Sequence, residues 1–394
     1  MTIKKKKILF AAYGGGHIKV LLPIVQELLH KNSEFEPIVL AFTMSKNDCK
    51  ARGIPCKTML DFVHLFPPQA IEIGQKLASE LAYHAIDVEE SAAYLGISFW
   101  ELVQEFGEEE AYKLYREKGR SVFCPVKAME KILAELKPDM VVSTNSPRSE
   151  KALLKAANNL GATSICVADF YVDKTATWLA EDWCGTKICV LDEFVKQQLI
   201  DIGRNPAQII ITGNPAFDHY GSKSTQEEAE KYRTENIRPY SKIIAYASNT
   251  EPDGETKNLP QLILDFLVKE CKRLGYRVSH RQHPSEAVAT RPEEVLNGNA
   301  VSLETFMSSA DLIVTFPSTV IYEARLLAVP TLALGMSKLM EQSEYLVAGN
   351  YDIADSFEEI SAVLERLGGR VKKLDLVNNK ATNAVIEVIK GIDV

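Results

Sequence analysis

Three short side-chain groups in the second half of the chain have the types needed for acid–base and phosphate chemistry. They are Asp253 before Gly254, His283 before Pro284, and Ser318 before Thr319. A carboxylate can take a proton from a hydroxyl. A histidine can stabilise or protonate a departing phosphate. Hydroxyls and the free amides of a helix start can hold that phosphate. Together these are the parts of group transfer from a phosphorylated leaving group. Singly, each has a plainer use: Asp253-Gly254 is an ordinary turn, and His283-Pro284 punctuates a strand end. A further candidate, His17, closes the run Gly14-Gly15-Gly16-His17 near the start of the chain. Three glycines let the backbone turn tightly and come close to a ligand. The run is neither GxGxxG nor followed by GK[ST], so it is neither a dinucleotide fingerprint nor a P-loop.

The elements that must position these residues follow from apolar periodicity. Ile8 to Ala12 reads as a strand, the glycines as a turn, and Ile18 to His30 as a helix. That order places His17 at the carboxyl edge of a sheet, where open α/β folds bind ligands. Pro37–Thr43 is a second strand, and Met140–Ser143 resumes the pattern after a helix-rich block, with Thr144-Asn145-Ser146-Pro147-Arg148 as another edge loop. The block, about 60–136, carries many aromatics and reads as a helical insertion with its own small core. Ser164–Ala168 is a strand ending at Asp169, and Ile209–Thr212 closes the first half at Gly213-Asn214-Pro215-Ala216-Phe217-Asp218. Ser222 to Arg238 is polar and charged and reads as a connector.

The pattern then restarts. Lys242–Ala247 is a strand, followed by a loop with Asn249 and Thr250, and Tyr276–Arg281 is the strand before His283. Leu312–Phe316 is a short apolar run of the kind buried in a parallel sheet. Pro317, Ser318 and Thr319 supply a turn and helix cap, Tyr322–Ala328 a helix, and Thr331–Leu334 the next strand. Glu323 lies one turn into that helix, within reach of ribose hydroxyls. Helices at Glu358–Leu367 and Asn379–Ile389 end the chain. Alternating strands and helices imply parallel sheets with helices on both faces.

Size and charge narrow the function. At 394 residues the chain exceeds one ordinary core, so two domains are expected. A net charge of −8 argues against a nucleic-acid partner, which needs a basic surface. Seven cysteines without CxxC spacing fit reduced thiols, not a zinc site or a disulfide framework. Lys4–Lys7 precede an apolar run that breaks at Tyr13-Gly14, and no small-residue cleavage site follows, so no leader is expected. No run of about 18 apolar residues is present. The expected location is cytoplasmic, with a weak contact of the lysine run on an anionic membrane face as an added expectation.

The layout resembles the GT-B glycosyltransferases: two doubly wound, Rossmann-like α/β domains facing a cleft, with the nucleotide donor on the C-terminal one. The resemblance divides the chain into 1–218, with the helical insertion in it, a linker at 219–240, and 241–394. Gly14-Gly15-Gly16-His17 resembles the N-terminal glycine-rich loop of that superfamily. Thr212-Gly213-Asn214-Pro215 with Asp218 is similar to the "TGNPxxD" turn of UDP-N-acetylglucosamine 2-epimerases and their transferase relatives. Ser318-Thr319, Glu323-Ala324 and Pro330 resemble the donor-binding strand–helix unit. Bacterial sialyltransferases and Kdo transferases carry an acidic-Gly motif, His-Pro and a Ser-Ser or Ser-Thr pair in the same order. Here a proline splits the acidic pair, as Glu251-Pro252-Asp253.

By resemblance, Asp253 or His17 is the base and His283 the acid or phosphate partner. Gly14, Gly15, Gly16, Asn249, Thr250, Pro284, Ser318, Thr319 and Glu323 contact the nucleotide sugar. Retaining GT-B enzymes often place a glutamate eight residues before the ribose-binding one, where this chain has Thr315. With no Asp-x-Asp cluster either, the resemblance implies an inverting, metal-independent glycosyltransferase without a cofactor. It would move a sugar from a CMP- or UDP-sugar to a bacterial surface glycan or glycolipid. The alternatives are a hydrolysing UDP-N-acetylglucosamine 2-epimerase and a non-catalytic sugar-nucleotide-binding subunit. The epimerases usually carry an arginine-rich loop and a Ser-Gly-Gly turn where this chain has Ser248-Asn249-Thr250 and Pro317-Ser318-Thr319.

Overall fold

A computed structural model of the protein describes residues 5–30, 34–81, 86–169, 176–252, 254, 256–286, 291–342, 351–367 and 380–392. The chain forms two compact units, one of residues 1–218 with 380–394, the other of residues 219–379. Each holds a six-stranded sheet in which every pairing is parallel among the described residues.

In the first unit the strands are β1 Lys6–Tyr13, β2 Phe35–Phe42, β3 Met140–Thr144, β4 Thr163–Val167, β5 Lys187–Val190 and β6 Ile209–Ile211. Their spatial order is β2-β1-β3-β4-β5-β6. Alternate residues of β1 feed two cores, as a pleated strand requires. Ile8, Phe10 and Ala12 pack with the helix Gly16–His30. Leu9, Ala11 and Tyr13 pack with the inserted helices. This corrects the expectation of a separate core in the insertion. Its aromatics Tyr94, Phe99 and Phe123 are buried in the layer that covers one face of the sheet. The two main inserted helices, Pro68–Ser79 and Val88–Phe106, touch at Gly74 and Gly96. A Cβ on Gly74 would fall 2.0 Å from the Ala92 carbonyl oxygen, so the crossing tolerates no side chain there.

The second unit holds β7 Lys242–Ala247, β8 Tyr276–Arg281, β9 Leu296–Asn297, β10 Leu312–Thr315, β11 Thr331–Leu334 and β12 Asp352–Ala354. Their order is β12-β11-β10-β7-β8-β9. Ile244, Tyr246, Leu312 and Val314 lie in one core and Ala245, Ala247 and Ile313 in the other, again by alternation.

Two boundaries differ from the sequence reading. The stretch read as a connector contains the helix Lys223–Asn236, capped by Ser222. Arg233 pins that helix to the second sheet through a two-point ion pair with Asp311, at 2.7 and 3.2 Å. Its polar composition is that of a surface helix held by one buried charge pair. The last helix, Ala381–Lys390, belongs to the first unit, where Val385, Ile386 and Ile389 enter the core behind β1. Asp218 receives that helix: its two carboxylate oxygens accept the Ala381 and Thr382 amides at 3.0 and 2.7 Å. A carboxylate at a helix start satisfies free amides and complements the helix dipole. No helix among the described residues is long and apolar enough to cross a membrane.

Candidate active site

The first unit presents the turn between β1 and the helix Gly16–His30. Gly14 has no room for a side chain, since a Cβ there would lie 2.6 Å from Met44 Cβ. Gly15 has φ +75°, which favours glycine. The turn delivers His17 to the carboxyl edge, partly exposed. Its Nδ1 lies 3.0 Å from Asp169 Oδ2, at the end of β4, and 3.2 Å from Thr144 Oγ1, at the end of β3. With Asp169 ionised, Nδ1–H donates to it and the lone pair is on Nε2.

Asp169 is itself fixed. Its N–H donates to Asn145 Oδ1 at 3.0 Å, and its carbonyl accepts from Asn214 Nδ2. The Gly213-Asn214-Pro215 turn therefore holds the partner of His17 in place. A second carboxylate, Glu150, lies fully buried beneath the turn, where Oε1 accepts the Tyr13 amide at 2.7 Å. Burial pushes the Glu150 carboxyl up to about 7, against the opposing pull of His17 and Arg148. Burial also pulls the His17 pKa down. The hydrogen bond and charge of Asp169, aided by Glu150, outweigh that and leave it raised. The histidine is thus a stronger base than an isolated one, with an oriented tautomer.

His17, Gly14 and Gly15 line a cavity of about 410 Å³, whose other walls include Arg148, Met44 and, from the insertion, Tyr94, Leu95 and Arg120. This volume falls in the range of small-molecule sites, roughly 300–1,000 Å³.

In the second unit β10, β7 and β8 are neighbours, so the loops after them share one edge of the sheet. Thr315, Ala247 and Arg281 are in register across the three strand ends. Ser318 and Thr319, Asn249 and Thr250, and His283 and Pro284 thereby come to the same edge. Asp253 lies outside the described residues. His283 is exposed, and its Nδ1 accepts the Ser285 amide at 3.1 Å, which leaves the proton on Nε2 when the ring is neutral. Its own amide donates to Glu286 Oε2 at 2.7 Å. Thr250 N donates to Asn249 Oδ1 at 2.8 Å, which shapes the loop after β7.

The helix after Ser318-Thr319 spans Val320–Leu326, earlier than the sequence suggests but of the same length. Glu323 is buried and already engaged. It accepts the Tyr220 hydroxyl and, at 3.0 Å, the Thr319 hydroxyl. Burial, then the Glu323 charge, push the Tyr220 pKa up. Tyr220 was not singled out in the sequence, because nothing local marks a tyrosine far along the chain as the partner of Glu323.

Three further residues were given no role in the sequence reading. Glu251 is buried and accepts the Ser337 hydroxyl and, at 3.1 Å, the Lys338 amide, tying the loop after β7 to the loop after β11. Lys338 is exposed, with its ammonium beside Gly254. His280 is buried on β8, stacked on Tyr246 with its Nε2 2.9 Å from Ser248 Oγ, and burial lowers its pKa to about 4. It is a neutral structural histidine. Among the described residues, no group of three or more His, Cys, Asp or Glu side chains is placed to hold a metal.

No protein-family model matches the chain. A curated protein named processive diacylglycerol beta-glucosyltransferase, from Bacillus pumilus, is 20% identical over 339 residues, covering 84% of this chain and 77% of that protein. A Methanocaldococcus jannaschii UDP-GlcNAc 2-epimerase, solved with UDP-GlcNAc and UDP, superposes with a TM-score of 0.58 at 15% identity, over 98% of this chain and 99% of that one. A glycotransferase of kitacinnamycin superposes with a TM-score of 0.58 at 12% identity, over 99% and 100% of the two chains. The chain therefore has the GT-B-like fold of glycosyltransferases and UDP-GlcNAc 2-epimerases, with a parallel Rossmann-like sheet in each of its two units.

Proposed function

We propose that the protein is an inverting glycosyltransferase in which His17, oriented by Asp169, is the base that activates an acceptor hydroxyl. The His17–Asp169 pair carries this reading. The hydroxyl oxygen attacks the anomeric carbon of a nucleotide sugar while its proton passes to His17 Nε2. The bond from that carbon to the donor phosphate oxygen breaks, and the nucleotide leaves with the electron pair. One displacement inverts the anomeric centre. The acceptor is a surface glycan or glycolipid. The B. pumilus relative, named a diacylglycerol glucosyltransferase, supports the lipid end of that range.

The second unit supplies the donor site. The amides after β10, Ser318, His283 Nε2–H and Lys338 are the groups available to a leaving phosphate. These groups support catalysis without a metal. Structures with UDP and UDP-GlcNAc among the fold neighbours favour a uridine nucleotide over CMP.

The same neighbours support a second reading, a hydrolysing 2-epimerase. Incubation with UDP-glucose and UDP-GlcNAc, with and without diacylglycerol vesicles, separates the two. A transferase releases UDP only with acceptor, whereas an epimerase releases it from UDP-GlcNAc alone. Binding of either sugar nucleotide without any release would indicate a non-catalytic subunit.

A further inference from the structure

The cavity beside His17 has two kinds of wall. Arg148 and Arg120 line it, and so do apolar groups, Met44, Leu95 and the rings of Tyr13 and Tyr94. Neither arginine has a carboxylate ion-pair partner among the described residues. Arg148 is half-buried and held over the Tyr13 ring, 4.4 Å from its centroid. Of the nearby carboxylates, Asp169 is engaged by His17, and Glu150, whose Oε1 is held by the Tyr13 amide, acts on Arg148 through its charge without forming an ion pair with it. Met44 is 40% exposed and stands in the cavity wall. Guanidinium groups without an ion-pair partner are suited to two-point binding of phosphate or carboxylate.

We propose that this cavity binds an amphiphilic acceptor that carries an anionic group near its reactive hydroxyl. Arg148 and Arg120 take the anion, and Met44 and Leu95 take the start of the apolar stem. A purely neutral acceptor would leave both guanidinium groups without an ion-pair partner among the described residues. The inference rests on the transferase reading, because it assigns the hydroxyl to His17.

The test uses the full-length protein and three probes: 1-oleoyl-lysophosphatidic acid, 1-monooleoylglycerol and inorganic phosphate. The two lipids share a tail and a free hydroxyl and differ by the phosphate. Titration calorimetry below the micellar concentration gives the affinities, and UDP-glucose binding and UDP release are measured on the same samples. We expect the phospholipid to bind at least about ten-fold more tightly than the neutral lipid, the usual scale of one charge-assisted contact. Arg148→Gln should remove that preference and leave the neutral lipid unmoved. Arg120→Gln changes an exposed residue and should reduce the preference without affecting the fold. Equal binding of the two lipids, or equal weakening of both by Arg148→Gln and Arg120→Gln, would overturn the proposal. So would inorganic phosphate binding as tightly as the phospholipid, since that marks an ion site only. If UDP-glucose binds and UDP release depends on acceptor, such a result removes this inference alone. If no sugar nucleotide binds or turns over, the transferase reading fails with it.

Discussion

His17, after β1, and Asp169, after β4, meet across the end of β3, which lies between those strands, with Nδ1 and Oδ2 3.0 Å apart. The proposed base role of His17 requires its neutral form, so its raised pKa should set the acid limb of activity. The rate should rise with pH through a value above 6.5, the ordinary one, and level off beyond it. Asp169→Asn removes the charge and the charge-assisted hydrogen bond that raise the pKa, so burial, which lowers it, weighs more. The acid limb should therefore move to lower pH while the plateau falls. A pH profile of kcat/KM in both proteins checks this, and an unshifted limb would dissociate His17 from the rate. His17→Ala should lower the plateau by about 10²–10⁴-fold.

Glu150 gives a prediction about stability. Its carboxyl titrates at about 7 in the folded protein instead of 4.5. The folded state binds that proton more tightly than the unfolded one, so stability falls as pH rises through this window. The full shift corresponds to a loss on the order of 3 kcal/mol. Glu150→Gln keeps an acceptor for the Tyr13 amide and removes the buried charge. Melting curves between about pH 5 and 8 should show the variant gaining on the wild type as pH rises. A constant difference across that range would mean that Glu150 does not change its charge there.

Glu323 is expected to hold the donor ribose, yet it already accepts the Tyr220 and Thr319 hydroxyls. Losing a charge-assisted contact costs about 1.5–3 kcal/mol, so Glu323→Ala should weaken UDP binding by about ten- to a hundred-fold. Calorimetry with UDP reads this directly. Unchanged affinity with a lowered melting temperature would show that Glu323 serves only to fix Tyr220.

His283 is exposed, and its Nε2–H has no partner among the described residues and is placed to donate to a phosphate. Its replacement by alanine should cut turnover by about 10²–10⁴-fold with little change in melting temperature. Near-normal turnover would return the residue to a turn-forming role. Activity should survive a chelator, because the leaving-group charge is assigned to His283, Ser318, Lys338 and backbone amides. Abolition by chelator, with recovery on adding back a divalent cation, would contradict that assignment.

The parallel sheets were legible because short apolar runs such as Ile8–Ala12 and Leu312–Phe316 alternate with helical periods. His17 was legible from the glycines before it. Asp169 as its partner was not, because the contact joins residues far apart in the chain, and a carboxylate at a strand end has many uses. The capping of the last helix by Asp218 was hidden for the same reason. The insertion's aromatics signalled a core, but not that the core would be shared with Leu9 and Ala11 of β1. The helix Lys223–Asn236 was masked by its polarity, since the Arg233–Asp311 pair that anchors it is a tertiary contact.

The central claim is acceptor-dependent, inverting transfer based on His17. It is tested most directly by proton NMR of reactions containing UDP-glucose and a panel of neutral and anionic lipid vesicles, with wild type and His17→Ala compared. The account predicts UDP formed only with acceptor, one product of β configuration from the α-linked donor, and loss of both in His17→Ala. An α-configured product would contradict it. So would UDP released at the same rate without any acceptor, or a His17→Ala protein as active as the wild type.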